Sequence, residues 1–417
     1  MTNILSELES NVRYYSRSFP VKFDKAKNSY LFDDKGNRYI DFFSGAGALN
    51  YGHNPDGMKS KVINYLHADG ITHSLDMATS AREKFIREFN RVILSSRNYN
   101  YKIQFTGPTG TNAVEAALKL ARKFTKRKEI IHFTNSFHGM SMGALSIAGN
   151  PNKKRSIGIP VGYTKEIPFN DGTFGIQALK EYLANLSAEE LPAAVILETI
   201  QADGGINVAD TNWLLQLFDL AKNYGIVTIV DDIQVGCGRT GNFFSFEDSG
   251  IVPDLICLSK SLSGYGLPMS MLLINPDMDI WEPGEHNGTF RGNNLAFITA
   301  TEALKYWENK AFIEGISQRA MFIKHFINDN LLDETIAIKG KGLIVGLEFD
   351  KGETATEIAR IAFKKGLVIE VCGKEDNVIK LLPPLNIGID DLAEGLDLLM
   401  QSILSIKKTS YYESSSL

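Results

Sequence analysis

A lysine and an aspartate stand directly after apolar, strand-like segments of this sequence, where they could act on the same small molecule. Lys260 comes just after LICL (255 to 258), and Asp231 follows IVTIV (226 to 230). A lysine held in a dry site loses its proton more readily, and the free amine is a nucleophile that can form a Schiff base with a carbonyl compound. The alternative is a lysine whose side chain extends from the strand end into solvent.

Asp231 is followed at once by a second carboxylate, Asp232. Successive side chains of a strand point to opposite faces, so at most one of the two can face a given ligand. Buried charge is unfavourable unless something pairs with it. We therefore expect one carboxylate to hold a protonated heterocyclic nitrogen. The other is expected to bind nearby backbone groups or a basic side chain.

A Gly/Thr-rich loop offers groups for a phosphate. After KIQF (102 to 105) comes TGPTGTNAVEAALKLAR, with Gly110 next to Thr111 and Asn112, and either of the last two is the predicted N-cap of the helix that follows. Free backbone N–H groups and the positive end of the helix dipole make such a helix start suitable for an anion. An ordinary capped turn fits the same pattern, and no GK[ST] follows, which excludes a Walker loop.

A second loop offers an aromatic ring. After EIIHF (129 to 133) comes TNSFHGM, in which Phe137 could stack on a planar ligand with His138 beside it. A core phenylalanine and a surface histidine are the alternative. Taken with the lysine, the carboxylate and the phosphate loop, this ring completes the set of groups that pyridoxal 5'-phosphate requires.

The elements that position these groups alternate in type from about residue 80. Short apolar segments predict strands, and helix-period stretches between them predict helices over 112 to 124 and 213 to 225, the second ended by a glycine. The predicted strands are 102–105, 129–133, 193–197, 226–230, 255–258 and 270–274. This alternation indicates an α/β protein with a mostly parallel sheet covered on both faces. Such sheets bind ligands at the carboxyl ends of their strands.

The first and last parts of the chain predict a second, smaller α/β domain. YLFDDKGNRYIDFFSG indicates an N-terminal hairpin around Asp-Lys-Gly, and GLIVGLEFD, GLVIEV and VIKLLPPL indicate strands near the C-terminus. We predict an N-terminal segment (1–60) that contributes to the small domain, a large cofactor-binding domain (61–305) and a C-terminal small domain (306–417).

Composition excludes several classes of function. Of the 417 residues, 44% are hydrophobic and 22% are charged, which is typical of a globular protein. The net charge of -5 gives no excess of basic residues that would indicate nucleic-acid binding. No apolar run is long enough to span a membrane and the first residues do not resemble a signal peptide, so we expect a cytoplasmic protein. The three cysteines have no metal-ligand or disulfide spacing, so we predict core thiols and no metal site.

Several strings of this sequence resemble a known enzyme family. They are TGTNAVEAALKLAR, SFHGM, LETIQADGG, IVDDIQVGCGRTG, PDLICLSKSLSGYGLP and NGTFRGNN. They are similar to class III aminotransferases, which are pyridoxal-phosphate enzymes of fold type I, and the resemblance runs from about residue 20 to 400. It implies a homodimer or higher homo-oligomer whose active site includes residues of both subunits.

The resemblance implies roles for individual residues. Lys260 would hold the cofactor covalently, Asp231 would pair with its pyridine nitrogen, and Gln234 would reach its 3-hydroxyl. Phe137 would stack on the ring, with His138 beside it. The backbone N–H groups of Gly110 and Thr111 would bind the phosphate, together with Thr289 of the neighbouring subunit.

Departures from the usual class III pattern narrow the resemblance to the subgroup that makes 2,4-diaminobutyrate. Asp232, Asn112 and Met140 stand where most of the class has Glu, Glu and Arg, RGNN replaces GGNP, and Lys380 replaces an arginine before PPL. Lysine lacks the planar fork that grips a carboxylate. The expected reaction converts L-aspartate 4-semialdehyde and L-glutamate into L-2,4-diaminobutyrate and 2-oxoglutarate.

Substrate carboxylates are expected to bind Lys380, Arg291 or both, with Asp203 able to neutralise Lys380 in one half-reaction. The alternative is that Lys380 and Asp203 are ordinary charges in a domain interface. Two other functions stay open: an ω-aminotransferase of the ornithine or 4-aminobutyrate type, and a non-catalytic cofactor-binding protein. Diaminobutyrate is a precursor of the osmolyte ectoine and of peptides and siderophores, and the resemblance leaves the pathway open.

Overall fold

A computed structural model describes residues 4–170, 172–331 and 335–414, without the side chains of 172–174 and 407–414. The N-terminal part forms α1 (Ile4–Leu8), α2 (Tyr15–Ser18), β1 (Phe23–Lys27), β2 (Tyr30–Asp33) and β3 (Arg38–Asp41). Strands β2 and β3 pair antiparallel around Asp34, Lys35 and Gly36, which confirms the predicted hairpin.

The following region forms a short helical turn and two helices before the large sheet begins: α3 (Ser44–Gly47), α4 (Asp56–His67) and α5 (Ser80–Phe89). The turn α3 is left-handed, with φ of 48° at Ser44 and 56° at Ala46. Non-glycine residues rarely adopt this conformation, and such residues cluster at functional sites.

The large sheet and its helices occupy the middle of the chain. They are β4 (Lys102–Gly107), α6 (Gly110–Thr125), β5 (Ile130–Phe133), α7 (Met142–Ser146), α8 (Pro151–Lys154), β6 (Thr164–Ile167), α9 (Gly172–Ala184), β7 (Ala194–Leu197), β8 (Ile200–Gln201), β9 (Asn207–Val208), α10 (Thr211–Asn223), β10 (Val227–Asp231), β11 (Leu255–Leu258) and β12 (Ser270–Ile274). The seven strands of this sheet lie in the order β4, β12, β11, β10, β7, β5, β6.

All six strands predicted for this sheet are present, and the sheet is mostly parallel. Strand β10 pairs parallel with both β7 and β11, and β5 pairs parallel with β7 and β6. Strand β12 runs antiparallel to both of its neighbours, β11 and β4. Strand β6 was not predicted by the sequence pattern. The strands β5, β7, β10, β11 and β12 are buried along their whole length, as expected when both faces are covered.

The C-terminal part forms α11 (Asn294–Leu304), α12 (Lys310–Asn330), β13 (Ala337–Lys341), β14 (Ile344–Glu348), α13 (Gly352–Lys364), β15 (Leu367–Val368), β16 (Glu370–Cys372), β17 (Val378–Leu381) and α14 (Ile389–Ser414). Strands β13, β14, β17 and β16 form an antiparallel sheet. Strand β15 pairs with β3, so the N-terminal hairpin joins the C-terminal part. The division at residues 60 and 305 stays a prediction.

A buried arginine ties three separate segments together. Arg239 is fully buried, and its Nη1 donates to the carbonyl oxygens of Leu343, at 3.0 Å, and of Pro383. Its Nη2 donates to the side-chain oxygen of Asn50. Burial lowers the pKa of Arg239 to about 9, with Asp41 acting in the opposite direction. One guanidinium therefore joins the loop after α3 to two segments of the C-terminal part.

The cysteines are buried free thiols, as predicted: Cys237, Cys257 and Cys372. Within the described residues, no helix is long and apolar enough to cross a membrane. The same residues contain no group of three or more His, Cys, Asp and Glu side chains that could hold a metal ion.

Candidate active site

A cavity lies at the edge of the large sheet where its parallel strands end. It is lined by Gly110, Thr111, Phe137, His138, Gly139, Glu198, Asp231, Ile233, Gln234, Val235 and Lys260. These residues follow β4, β5, β7, β10 and β11, so five loops that are far apart in the sequence converge here. This confirms the expectation that strand ends of one sheet bring these side chains together.

The phosphate loop is built as expected except for its N-cap. Helix α6 begins at Gly110 with Thr109 as N-cap, and the Thr109 N–H and hydroxyl donate to Asn112 Oδ1 at 3.2 and 2.9 Å. The predicted N-caps, Thr111 and Asn112, are therefore wrong, because Asn112 closes a capping box from inside the first turn. Gly110 and Thr111 therefore lie in the first turn of α6, where backbone N–H groups have no hydrogen-bond partner within the helix.

Gly110 is also closely packed. A Cβ atom at this position would lie 3.0 Å from Ile233 Cδ1, on the loop that follows β10. The close approach of these two loops brings the start of α6 next to the end of β10. The first residues of α6 and the Asp231 carboxylate consequently line one cavity.

Asp231 and His138 form a buried pair. The His138 Nδ1 lies 2.7 Å from Asp231 Oδ2, and the other carboxylate oxygen accepts a hydrogen bond from the Ile233 N–H at 3.2 Å. Burial lowers the pKa of His138, but the contact with Asp231 outweighs it and the pKa is raised. Sequence reasoning placed His138 beside the ring and missed this contact.

The second carboxylate of the Asp-Asp pair faces away from the cavity. Asp232 is fully buried and accepts a hydrogen bond from the Ser245 N–H at 3.2 Å. Burial raises its pKa to about 7. The structure therefore separates the two carboxylates as the alternation of strand side chains predicted, and Asp232 binds backbone.

Lys260 projects from a short 3-10 turn, Lys260–Ser263, directly after β11. Its backbone is in the left-handed region with φ of 50°, a strained conformation for a lysine. Burial and the nearby positive charge of Lys380 lower the pKa of Lys260 to about 8. A larger fraction of this amine is therefore uncharged near neutral pH than of an ordinary lysine, and the uncharged form is the one that acts as a nucleophile or base.

Two side chains hold the walls of the cavity together. The Gln234 amide donates to the carbonyl oxygen of Ala46, in the left-handed turn α3, at 2.8 Å. Glu198 accepts hydrogen bonds from the N–H groups of Phe137, at 2.9 Å, and Ala202, at 3.2 Å, and burial raises its pKa to about 7. Sequence reasoning did not single out Glu198, although it follows the apolar strand β7 in the same way that Asp231 ends β10.

The residues predicted to bind substrate lie outside the set that lines the cavity. Lys380 is buried and contacts Glu370 at 2.9 Å, whereas Asp203 lies 4.0 Å from Lys153. The acid in contact with Lys380 is thus Glu370, which sequence reasoning did not single out. The signal for it is weak, because Glu370 begins a strand of only three residues.

Thr289 and Arg291 lie on a loop away from the cavity of their own chain. Thr289 is exposed, and its carbonyl oxygen lies 3.0 Å from His73 Nε2. Burial lowers the pKa of Arg291, and its buried Nε has no hydrogen-bond partner among the described residues. The implied role of Thr289 in a neighbouring subunit stays a prediction.

Comparison with known proteins identifies the family. The chain matches the family described as Aminotransferase class-III over residues 13–403. The chain belongs to the class III aminotransferases. These are pyridoxal-phosphate enzymes, and a buried cavity with a lysine, a carboxylate and a helix start is consistent with that cofactor.

Relatives of known name are similar over nearly the whole chain. Diaminobutyrate--2-oxoglutarate transaminase of Halalkalibacterium halodurans is 50% identical over 98% of this chain and 97% of the relative. Proteins of the same name are 49% identical in Oceanobacillus iheyensis, over 96% of both chains, and 51% identical in Bordetella parapertussis, over 96% of this chain and 94% of the relative.

Solved structures share the fold at lower identity. The ornithine aminotransferase of Toxoplasma gondii superimposes with a TM-score of 0.87 at 24% identity, over 97% of this chain and 94% of the other. An aminotransferase of Bacillus anthracis gives a TM-score of 0.87 at 21% identity, over 96% and 98%. The expected fold type I architecture is thereby confirmed.

The cavity of this class III aminotransferase fits its cofactor on structural grounds. His138 Nε2 is buried and has no hydrogen-bond partner among the described residues. An unpartnered polar atom in a cavity wall is unfavourable unless a ligand or water satisfies it. The first-turn N–H groups of α6 offer an anion site in the same cavity. Both features match a ring that carries polar substituents and a phosphate.

Proposed function

We propose that this class III aminotransferase converts L-aspartate 4-semialdehyde and L-glutamate into L-2,4-diaminobutyrate and 2-oxoglutarate. The observation that carries the proposal is Lys260, with its lowered pKa, in one cavity with Asp231. Relatives named for this reaction are identical to this chain at about half of the aligned residues, which supports the choice of substrates.

The proposed cofactor contacts follow from the cavity walls. Gly110 and Thr111 would bind the phosphate through their N–H groups, Phe137 would stack on the ring, and Gln234 would reach the 3-hydroxyl. Bound there, pyridoxal phosphate supplies an aldehyde that condenses with amines and a ring that withdraws electrons.

Asp231 would hold the proton on the pyridine nitrogen, because an opposite charge nearby stabilises the protonated form. His138 fixes the direction of this carboxylate through their 2.7 Å contact. The backbone N–H of Ile233 holds the second oxygen. Two donors therefore orient Asp231 before any ligand binds.

Lys260 would act as both the attachment point and the proton carrier. With its Nζ free, Lys260 would take a proton from the reacting carbon of the substrate as a base and later give up that proton as an acid. A pKa of about 8 suits both steps near neutral pH.

Substrate carboxylates would bind Lys380, Arg291 or both, and Asp203 lies close enough to Lys380 to raise its pKa. Lys380 is buried, and the Glu370 contact neutralises it when no substrate carboxylate is present. A buried lysine requires such a partner, because an unpaired charge there is strongly unfavourable. Release of Glu370 would free Lys380 for a carboxylate.

We propose further that the enzyme works in the cytoplasm as a homodimer, in which Thr289 reaches the phosphate of the neighbouring site. The exposed position of Thr289, outside its own cavity, is consistent with a contact to another chain. Size measurement by light scattering tests the dimer. Loss of cofactor affinity in Thr289→Ala without a change in size tests the contact.

A product assay tests the reaction. The holoenzyme is incubated with L-aspartate 4-semialdehyde and L-glutamate, and L-2,4-diaminobutyrate and 2-oxoglutarate are measured by mass spectrometry. L-2,4-Diaminobutyrate, ornithine and 4-aminobutyrate, each with 2-oxoglutarate, are run in parallel. Faster turnover of either amine than of L-2,4-diaminobutyrate would make this another ω-aminotransferase. No turnover with any donor would indicate a non-catalytic cofactor-binding protein.

A further inference from the structure

The left-handed turn α3 contacts the loops that follow β10 and β11. The carbonyl oxygen of Ala46 accepts a hydrogen bond from the Gln234 amide at 2.8 Å. The carbonyl oxygen of Gly47 accepts one from the Ser261 hydroxyl at 2.7 Å. Ser261 directly follows Lys260 in the sequence, and Gln234 and Lys260 both line the cavity. One short turn therefore holds two of the loops that form the cavity wall.

The contact with Ala46 determines the orientation of the Gln234 amide. A carbonyl oxygen can only accept a hydrogen bond, so the NH2 group of Gln234, and not its oxygen, must face Ala46. This NH2 group has two hydrogens, and the second remains for another acceptor. The 3-hydroxyl oxygen of the cofactor ring is the acceptor proposed above. The position of the Ala46 carbonyl therefore bears directly on how Gln234 meets the ring.

Turn α3 has a backbone conformation that its own residues do not favour. All four residues, Ser44–Gly47, have positive φ, of 48°, 58°, 56° and 80° in chain order. Ser44 and Ala46 carry a Cβ atom, for which this region is unfavourable. Such a conformation persists only where the surrounding structure imposes it. The groups that hold the turn therefore also hold the two carbonyl oxygens that it presents.

Asp41, at the end of β3, holds the start of this turn. Its Oδ1 accepts hydrogen bonds from the N–H groups of Phe43 and Ser44, both at 2.8 Å. Its Oδ2 lies 2.7 Å from Nε2 of His53, whose side chain is 13% exposed. The Asp41 side chain is itself only 1% exposed, so water has little access to this carboxylate. A chain of contacts thus runs from His53 through Asp41 to the turn.

We propose that Asp41, supported by His53, is a positioning residue for the cofactor site. By holding turn α3, Asp41 fixes the two carbonyl oxygens that orient Gln234 and anchor Ser261. Neither Asp41 nor His53 is among the residues that line the cavity, so both act through other residues. The proposal rests on the cofactor contact proposed above for Gln234 and extends it to the residues behind it.

The test measures how tightly Asp41 variants bind the cofactor. Apoenzyme is titrated with pyridoxal 5'-phosphate to obtain a dissociation constant, and kcat is measured on the reconstituted enzyme. We expect Asp41→Ala to weaken binding by about 10-fold, the effect of losing one or two hydrogen bonds. The kcat should fall by up to about 100-fold, because the groups of the site are displaced. Asp41→Asn should keep most of the affinity, since its amide oxygen can still accept both N–H groups.

Asp33→Ala is the matched control for a loss of stability. Asp33 is also buried, and its Oδ1 also accepts two backbone N–H groups, from Lys35 at 3.0 Å and from Asn37 at 2.8 Å. It holds the turn between β2 and β3, which contributes no residue to the cavity wall. Asp33→Ala should lower the melting temperature and leave the cofactor affinity unchanged. Equal losses of affinity in the Asp33 and Asp41 variants would overturn the proposal, because general destabilisation would explain both.

A double variant tests whether Asp41 acts through Gln234. Gln234→Ala alone should weaken cofactor binding by several-fold. Where two residues act through one contact, the loss in the double variant is smaller than the product of the separate losses, and we expect this for Asp41→Ala with Gln234→Ala. Losses that multiply would overturn the role of Asp41 and leave the Gln234 contact standing. Unchanged affinity in Gln234→Ala alone would overturn that contact and the role of Asp41 with it.

Two further outcomes are decisive. If Asp41→Ala does not fold, His53→Ala replaces it, because this variant removes one partner of Asp41 and leaves the two backbone contacts in place. We expect His53→Ala to weaken cofactor binding by about 3-fold, and unchanged affinity would overturn the role of the pair. An Asp41→Asn variant that binds the cofactor as weakly as Asp41→Ala would show that the charge matters and the acceptor does not, which also overturns the proposal.

Discussion

The cavity proposed to hold the cofactor (the cofactor end) and the pair Lys380–Glu370 proposed to bind substrate (the substrate end) are built in opposite ways. At the cofactor end, Asp231 is held by His138 and by the Ile233 N–H, and both contacts are internal to the protein. At the substrate end, Lys380 and Glu370 depend mainly on each other. A group that keeps one ligand throughout the reaction can be fixed in advance, whereas a group that receives two different substrates must be able to exchange partners.

The largest effect is expected at the cofactor end, from Lys260→Ala. Turnover should fall by at least about 10⁴-fold, because both the covalent attachment and the proton carrier are lost. The measurement is single-turnover product formation, together with the visible absorbance of bound cofactor. Lys222→Ala, an exposed lysine on α10, is the control and should behave as wild type. Near-normal turnover by the Lys260 variant would remove it from the mechanism.

The next effect compares the two adjacent carboxylates. Asp231→Asn should reduce kcat by roughly 10²- to 10⁴-fold and weaken cofactor binding, because the charge opposite the ring nitrogen is lost. Asp232→Asn should change both quantities little, since Asp232 faces Ser245 and not the cavity. Steady-state kinetics and cofactor titration measure both. Similar losses in the two variants would show that Asp231 has no special role.

The smallest effect sharpens the comparison at the substrate end. Burial and Lys380 lower the pKa of Lys260, whereas Glu370 raises it. Lys380→Met should therefore raise the pKa of Lys260 above about 8, and Glu370→Gln should lower it. The reaction needs the uncharged amine, so the rate at which apoenzyme combines with pyridoxal phosphate should rise with pH through this pKa. The two variants should move that midpoint in opposite directions, and a shift of the same sign would contradict the arrangement.

The residues of the cofactor end could be predicted from the sequence because each of them follows a recognisable strand. Lys260, Asp231 and Phe137 all come just after continuous apolar runs that the structure shows as β11, β10 and β5. The carboxyl ends of parallel strands lie at the same edge of the sheet, and β11, β10 and β5 lie close enough in the strand order for the groups after them to line one cavity. The pattern did not predict β6, which reads Thr-Lys-Glu-Ile, because it lies at the sheet edge and is only partly buried.

The substrate end was less accessible to sequence reasoning. The partner of Lys380 depends on the register between β16 and β17, which pairs Glu370 with Lys380. A shift of one residue would place a different side chain there, and no local pattern fixes that register. The predicted N-cap of α6 was wrong for a different reason. Thr109 and Asn112 form a capping box, and both residue types favour the N-cap position, so the sequence does not show which of them precedes the helix.

Arg239 has a consequence for how substrates enter. Its guanidinium bonds to Asn50, Leu343 and Pro383 in a fully buried place, and each such bond to a charged group contributes about 1.5–3 kcal/mol. A hinge that swung the C-terminal sheet away would have to break them together and leave a cation without partners. One substrate should therefore leave and the next should enter through rearrangement of side chains at the entrance of the cavity, while the backbone of the C-terminal sheet stays in place.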